Sequence, residues 1–223
     1  MAFVCVDGSP DRRRLREPGW RRSRMRLLPG AALLLLALPA ESTLAETCEE
    51  RFVHLLVDGN DEGAVKIHAT QEIKGGPTTK NWFLQVSPGH WMSEPIEPPG
   101  QPWVLTYDNA MYTSTDGGKS WTKLRDTDSA GDAATSKANL RENAKTTRNA
   151  VCGEETVDGN AYETVEADYD TLQNFKTENH FKYWVEPASG FIARATYAMK
   201  GNGFESFTTQ LIERAPGLTL PTP

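Results

Sequence analysis

The sequence predicts an α+β domain: one antiparallel β-sheet with an N-terminal helix and an Ala-rich cap helix. First, most segments after residue 65 alternate apolar and polar residues, the pattern of half-buried antiparallel strands. Second, Asp-Gly, Asn-Gly and Pro-Ala-Ser-Gly turn sequences separate these segments. Third, two segments, 46–57 and 129–150, carry their apolar residues at helical spacing instead. A composition of 38% hydrophobic and 24% charged residues excludes a wholly disordered or collagenous chain.

The first 45 residues are expected to lie outside this domain. Residues 25–45 contain a basic start at Met25, a short apolar run and a small-residue site ending at Ala45, which is the pattern of a secretory signal peptide. The apolar run is well short of the roughly 20 residues that span a bilayer, which favours cleavage over a retained anchor. Residues 1–24 are rich in Arg and lack apolar periodicity, so we predict a non-structural extension.

Charge is divided unevenly between this leader and the domain. Residues 1–45 hold eight Arg against four carboxylates, a net of +4, which leaves 16 basic and 26 acidic side chains and a net of −10 for residues 46–223. An acidic domain is repelled by phosphate backbones and by anionic membrane surfaces. We therefore expect no nucleic-acid partner.

The first predicted element of the domain is a helix over 46–57, ended by Asp58-Gly59. It contains Cys48, and the mature chain has one other cysteine, Cys152. Because a lone cysteine pair in an oxidising compartment is most simply a disulfide, we predict a bond between Cys48 and Cys152. A redox-active pair normally lies two residues apart in sequence, so a catalytic thiol is not expected.

The strands follow from period-two alternation of apolar and polar residues. They are predicted around 65–73, 82–86, 103–107, 165–169, 181–185, 191–199 and 207–211. Between the third and fourth of these, residues 114–121 fit S-x-D-x-G-x-x-W, the Asp-box hairpin that also occurs in sialidases. The motif forms a tight turn and carries no chemistry, and its single copy does not support a β-propeller.

The segment 129–150 is predicted to be a polar helix whose apolar stripe consists mainly of alanines. Such a stripe buries little apolar area, so we expect a loosely packed cap over the sheet. The domain is expected to end near residue 215, and the Pro-rich residues 216–223 are predicted to form a flexible tail.

The patterns of common catalytic and metal sites are missing from the sequence. It contains no G-x-S-x-G nucleophile elbow, no P-loop and no calcium-binding loop. Its four histidines, at positions 54, 68, 90 and 180, lack the spacing of metal ligands. We therefore predict a non-enzymatic protein with no catalytic residue, no metal and no cofactor.

The order of these parts resembles the LolA-like superfamily of bacterial envelope proteins. The resemblance rests on the early helix with Cys48, the hairpin 111–123, the Ala-rich helix and the segment 152–159. The closing segment 182–194 is similar to that family's W-V-D-x-x-T-G-x-P-x-R hairpin. The resemblance implies a strongly curved, incomplete β-barrel over 46–215, with helices over its open side and a cavity for acyl chains. It also implies a periplasmic location.

Two functions stay open from the sequence. The first is a periplasmic protein that binds a hydrophobic ligand, a lipid or the acyl chains of a lipoprotein, in the half-barrel cavity. The candidate lining residues are Trp82, Leu84, Trp103, Leu105, Phe191 and Phe207. The second is a structural or interaction module of the cell envelope, in which these side chains fill the core and the acidic surface binds a protein partner.

Overall fold

The computed structural model describes residues 46–60, 63–173 and 175–223. The predicted extension 1–24 and signal peptide 25–45 lie outside the described residues. Within the described residues, two helices accompany one open antiparallel sheet of 11 strands. This architecture confirms the predicted α+β class with a curved, incomplete barrel.

The helices are α1 (Cys48–Asp58) and α2 (Ser129–Ala144). The strands are β1 (Val65–Ile73), β2 (Thr78–Ser87), β3 (His90–Glu97), β4 (Trp103–Tyr107), β5 (Ala110–Ser114), β6 (Thr122–Asp126), β7 (Arg148–Val157), β8 (Asn160–Thr171), β9 (Thr177–Val185), β10 (Ile192–Gly201) and β11 (Phe204–Arg214).

The strand order is β6-β5-β4-β3-β2-β1-β11-β10-β9-β8-β7. The sheet therefore consists of two meanders: the first contains strands β1 to β6 and the second contains strands β7 to β11. The chain runs from the middle of the sheet to one edge, crosses through α2 to the other edge and returns to the middle. There β11 pairs with β1 in a ladder that runs from Val65 opposite Arg214 to Ile73 opposite Ser206. The two edge strands, β6 and β7, are therefore consecutive in sequence and joined by α2.

The register divides the side chains of the sheet between two faces, because residues directly opposite each other point the same way. We call the face that carries the helices the inner face. It holds Val165, Ala167 and Tyr169 of β8, and α1 packs against this strand. When the pairings are followed from strand to strand, Phe83 of β2 also lies on the inner face. The opposite side is the outer face.

The main core lies between α1 and the inner face of the second meander. Phe52 of α1 is fully buried, and its ring centroid lies 6.2 Å from that of Tyr169 and 5.8 Å from that of Tyr183. Thr47 and Glu50 form a capping box that fixes the start of α1. The remaining buried members of this core are Leu55, Leu56, Val57, Val65, Ala144, Val165, Ala167, Val185, Phe191, Ile192, Ala195 and Ile212.

The predicted disulfide is confirmed. Cys48 of α1 and Cys152 of β7 are bonded, with their Cα atoms 5.6 Å apart. The bond links the first helix to an edge strand.

A second apolar cluster lies on the outer face of the first meander. Its buried members are Leu84, Met92 and Leu105, and Leu218 and Leu220 from the C-terminal segment pack against them. The residues predicted to form a flexible tail therefore lie on the sheet in the structure. Two leucines spaced two residues apart put both side chains on the same side of an extended segment, which suits an apolar surface.

The Asp-box hairpin forms as predicted between β5 and β6. The carboxylate of Asp116 accepts hydrogen bonds from the Ser120 hydroxyl at 2.6 Å and from the backbone N–H groups of Lys119 and Ser120, each at 3.0 Å. The Ser114 hydroxyl donates to it at 2.7 Å. These bonds, that of the Ser120 hydroxyl first, hold the pKa of Asp116 far below its usual value.

Two segments differ from the prediction. Helix α2 ends at Ala144 and not near residue 150, because the hydroxyls of Thr146 and Thr147 bond the carbonyls of Asn143 and Ala144. The next residues form edge strand β7. Residues 90–97, where the sequence analysis placed no strand, form strand β3, paired with β2 and β4.

Candidate ligand-binding pocket

An apolar pocket lies between the inner face of the first meander and the first half of α2. Its volume is about 300 Å³. It is lined by Phe83, Gln85, Pro88, Trp91, Thr106, Met111, Arg125, Thr127, Ser129, Asp132 and Ala133.

The sheet supplies one wall of this pocket through its register. Trp91 of β3 lies opposite Thr106 of β4, which lies opposite Met111 of β5, and Met111 in turn lies opposite Arg125 of β6. Phe83 of β2 adds a second ring, with its centroid 5.2 Å from that of Trp91. Five neighbouring strands, β2 to β6, thus form the wall beneath the helix.

The helix supplies the opposite wall and leaves the space open. Its buried residue over the pocket is Ala133, whose methyl group is too short to fill the gap between a helix and a sheet. The second half of α2 is held more firmly: Leu172 donates its backbone N–H to Asn143 Oδ1 at 3.0 Å, and Ala144 lies in the main core. Lys137 also forms an ion pair with Asp58 at 2.5 Å. The end of α2 is therefore anchored while its beginning covers a cavity.

Three hydroxyls of the pocket lining are buried without a hydrogen-bond partner. They are Thr106 Oγ1, Thr127 Oγ1 and Ser129 Oγ. Among the described residues only three other buried side-chain atoms share this condition, and none of them lines this pocket. Leaving a buried polar group unpaired costs about 1–3 kcal/mol.

The six predicted lining residues lie elsewhere. Trp82, Leu84, Trp103 and Leu105 are on the outer face, where Leu84, Trp103 and Leu105 meet in the second apolar cluster. Phe191 belongs to the main core, and Phe207 is 44% exposed on the outer face of β11. The structure brings three of the six together, at a distance from the pocket, and contact of any of them with a ligand stays a prediction.

The pocket residues that the prediction missed come from the other phase of the same strands. Phe83 is the neighbour of Trp82 and Leu84 in sequence, and Trp91 and Met111 lie in segments that had not been assigned to a cavity wall. The signal that could have found them is the position of the Ala-rich helix. The small side chains of α2 leave space between this helix and the sheet. A cavity is therefore expected on the face of the sheet that α2 covers.

A charged network lies on the outer face of the second meander. His180 Nδ1 lies 2.8 Å from Asp168 Oδ1, and His180 Nε2 lies 3.4 Å from Glu166 Oε2. The side-chain amide of Asn149 donates to Asp168 at 2.7 Å and is the main reason why the pKa of Asp168 is lowered. Within the described ranges no group of three or more His, Cys, Asp or Glu side chains could hold a metal ion. These residues form ion pairs across strands, and Asp168 and His180 also line an open cleft of about 670 Å³. Because the carboxylates and the imidazole of the network pair with one another, we assign them no chemistry.

Three buried tyrosines also have altered ionisation. Burial raises the pKa of Tyr169, Tyr183 and Tyr197 well above the usual value. All three belong to or pack against the main core, so they stay neutral and act as packing groups. In the part of the chain that the structure describes, no helix is both long enough and apolar enough to span a membrane.

Comparison with known proteins returns matches in structure alone. No protein-family model and no curated protein matches the chain. Two solved structures to which it is similar are a LolA superfamily protein from Nitrosomonas europaea and a putative outer membrane lipoprotein-sorting protein domain from Vibrio parahaemolyticus. Both are 11% identical to it and cover 78% of it, over 93% and 95% of their own length, with TM-scores of 0.32 and 0.33. The printed name of the first structure is that of the superfamily that the sequence resembles.

Proposed function

We propose that the protein is an exported, non-catalytic binding protein of the bacterial periplasm that holds a hydrophobic, acylated ligand beneath α2. The observation that supports this proposal is the apolar pocket of about 300 Å³ between the sheet and the first half of α2. The ligand class is the one that the LolA resemblance implies: a lipid or the acyl chains of a lipoprotein.

The pocket suits one acyl chain. Ligand pockets range from about 300 to 1,000 Å³, and this volume lies at the lower end of that range. Phe83, Trp91 and Met111 offer an apolar surface, and removing apolar surface from water stabilises a complex by about 25 cal/mol per Å². The short side chains of α2 allow its first half to shift outwards for a larger ligand while the second half stays anchored.

The first experiment is lipid extraction and mass spectrometry of the protein purified from a bacterial periplasm. A stoichiometric acylated molecule is expected. The result that would overturn the proposal is a protein that carries no apolar molecule and takes up none when lipid is added.

A filling variant locates the ligand. Ala133→Leu places a larger side chain in the pocket and is expected to abolish uptake of an apolar fluorescent probe. Ala134→Leu, at an exposed position one residue along the same helix, is the matched control and should bind the probe like the wild type. Equal binding by the two variants would mean that the ligand does not occupy this pocket.

An interaction module of the envelope is the second candidate. It is favoured by Phe207 and Leu211, which are 44% and 45% exposed on the outer face of β11. Crosslinking in the periplasm through a photoreactive residue at position 211 should then capture one specific protein, and an Asp substitution at Phe207 should prevent capture. Lipid uptake that is unchanged in the Phe207 variant would show that the two surfaces act separately.

A further inference from the structure

Two charged side chains line the apolar pocket at the same end. Arg125 is the last residue but one of β6, and Asp132 lies in the first turn of α2. The connection between these two elements contains only Thr127 and Asp128, and Asp128 caps the helix by accepting a hydrogen bond from the backbone N–H of Gly131 at 3.0 Å. Both charges therefore lie beside the β6–α2 connection, one on each wall of the pocket.

The positions of these two residues direct both side chains towards the pocket. Arg125 lies opposite Met111 in register, so it points to the inner face of the sheet. Asp132 is three residues after Ser129 and one before Ala133, which places it on the side of the helix that lines the pocket. Both charged side chains are exposed, so a molecule that enters from solvent can reach them.

Both charges lack a partner within the described part of the chain. Among the residues that the structure describes, neither Arg125 nor Asp132 forms an ion pair or a side-chain hydrogen bond, and the two do not pair with each other. Asp126, the acidic residue next to Arg125 in sequence, is paired with Lys123 at 2.6 Å. This end of an apolar pocket therefore presents one cation and one anion on facing walls.

We infer that this end of the pocket binds a zwitterionic head group, with its acidic group, such as a phosphate, against Arg125 and its amine against Asp132. The inference rests on the proposed function and names the class of ligand: a single-chain amphiphile whose chain lies along Phe83 and Trp91. A purely anionic head group would also meet Asp132, and a purely cationic one would meet Arg125, so each would face a like charge. An uncharged head group would leave both charges without a partner.

Selectivity and affinity come from different parts of this site. The apolar wall removes the chain from water whatever the head group, so it favours all amphiphiles of equal chain length alike. The two charges act on the head group alone, and the guanidinium of Arg125 offers its donors in the fork geometry that suits phosphate oxygens. Because both side chains are exposed, each contact is expected to change affinity about two- to fivefold, and less at high salt.

The test compares four compounds with the same decyl chain, each used below its micelle-forming concentration and each competing with an apolar fluorescent probe. They are decylphosphocholine, which is zwitterionic, decyl sulfate, decyltrimethylammonium and the uncharged decyl maltoside. In the wild type at low salt, after correction for transfer from water, decylphosphocholine should bind most tightly. Equal corrected affinities, or tightest binding of any other compound, would overturn the inference and leave the proposed function standing.

Two neutral variants separate the two contacts. Arg125→Gln should lower the affinity for decylphosphocholine and decyl sulfate about two- to fivefold without weakening that for decyltrimethylammonium. Asp132→Asn should lower the affinity for decylphosphocholine and decyltrimethylammonium by a similar factor without weakening that for decyl sulfate. Arg141→Gln, in the second half of α2, and Asp158→Asn, in the β7–β8 turn, are exposed matched controls outside the pocket and should change none of these values.

Stability separates a ligand contact from a structural role. Both variants replace exposed side chains, so their melting temperatures should match that of the wild type, and decyl maltoside should bind them unchanged. Loss of affinity for all four compounds in either variant would mean that the residue maintains the pocket itself, and it would overturn the inference. Failure of all four compounds to displace the probe from the wild type would overturn the proposed function together with the inference.

Discussion

Removal of the Cys48–Cys152 bond is the perturbation with the most definite expected size. The bond joins residues 104 apart in sequence, and the chain-entropy model assigns about 4.7 kcal/mol to a closed loop of about 100 residues. For a domain of this size, about 1 kcal/mol corresponds to about 2–4 °C in melting temperature. Loss of the bond is therefore expected to lower the melting temperature by about 10–20 °C.

The assay is urea unfolding of Cys48→Ser, Cys152→Ser and the double variant, followed by tryptophan fluorescence. Because all three lack the same single bond, their losses in free energy of unfolding should be equal and not additive. Thiol titration of the wild type before and after reduction gives the control that the bond was present. A loss below about 1 kcal/mol in all three variants would refute the reasoning, since it would mean that the loop is already restricted in the unfolded chain.

The binding pocket should be insensitive to this change. The disulfide links α1 to β7, whereas the pocket lies between α2 and strands β2–β6. Below the melting temperature of the double variant, probe affinity is expected to match the wild type.

Three further predictions concern stability. Phe52→Ala should lower the free energy of unfolding in urea by about 3–5 kcal/mol, because the Phe52 ring is fully buried. Phe207→Ala is the control and should lower it by less than about 1 kcal/mol, because Phe207 is half-exposed. Similar losses in the two variants would mean that α1 does not hold the core. Replacement of Leu218 and Leu220 by Ala should uncover the outer-face cluster and increase the binding of an apolar dye. Unchanged dye binding would mean that the C-terminal segment does not pack on this cluster. The pKa of Asp116 is lower in the folded state than its unfolded value of 3.8, so its contribution to stability is present above that value and is lost as the pH falls. In Asp116→Asn, the melting temperature should therefore fall less steeply below pH about 4 than it does in the wild type. Equal slopes for the two proteins in this pH range would contradict the prediction.

The sequence predicted the fold well because its signals are local. Alternation identified β1, β2, β4 and the strands β8 to β11, and the turn sequences separated them. Strand β3 was not predicted from the sequence. Its Pro95 has no N–H to donate to a neighbouring strand, and a strand tolerates proline only where that hydrogen bond is not required. The end of α2 was extended too far because Thr146 and Thr147 do not break helical spacing, and only their hydrogen bonds to the preceding carbonyls show the stop.

The site could not be predicted to the same degree. Period two divides a strand into two faces and does not say which face the helices cover. For β2 the choice fell on Trp82 and Leu84, the more hydrophobic phase, which lies on the outer face. There the C-terminal segment packs against the cluster that contains Leu84. The position of α2 over Phe83 depends on the pairing of β1 with β11, which is a contact between distant residues. The three unpartnered hydroxyls are visible only when the burial of each oxygen is known.

The pairing of β1 with β11 places the seam between the two meanders at the centre of the sheet. The strand made first as the domain leaves the ribosome is bonded on one side to the strand made last, and α1 packs against β7 and β8. The first meander must therefore wait with one side of β1 unpaired until the second meander is complete. Pairing between such distant segments is slow because the connecting chain must first close. A chain interrupted before β11 would expose four strand edges in place of two, so the vulnerable period of this protein is the end of its synthesis and not the beginning.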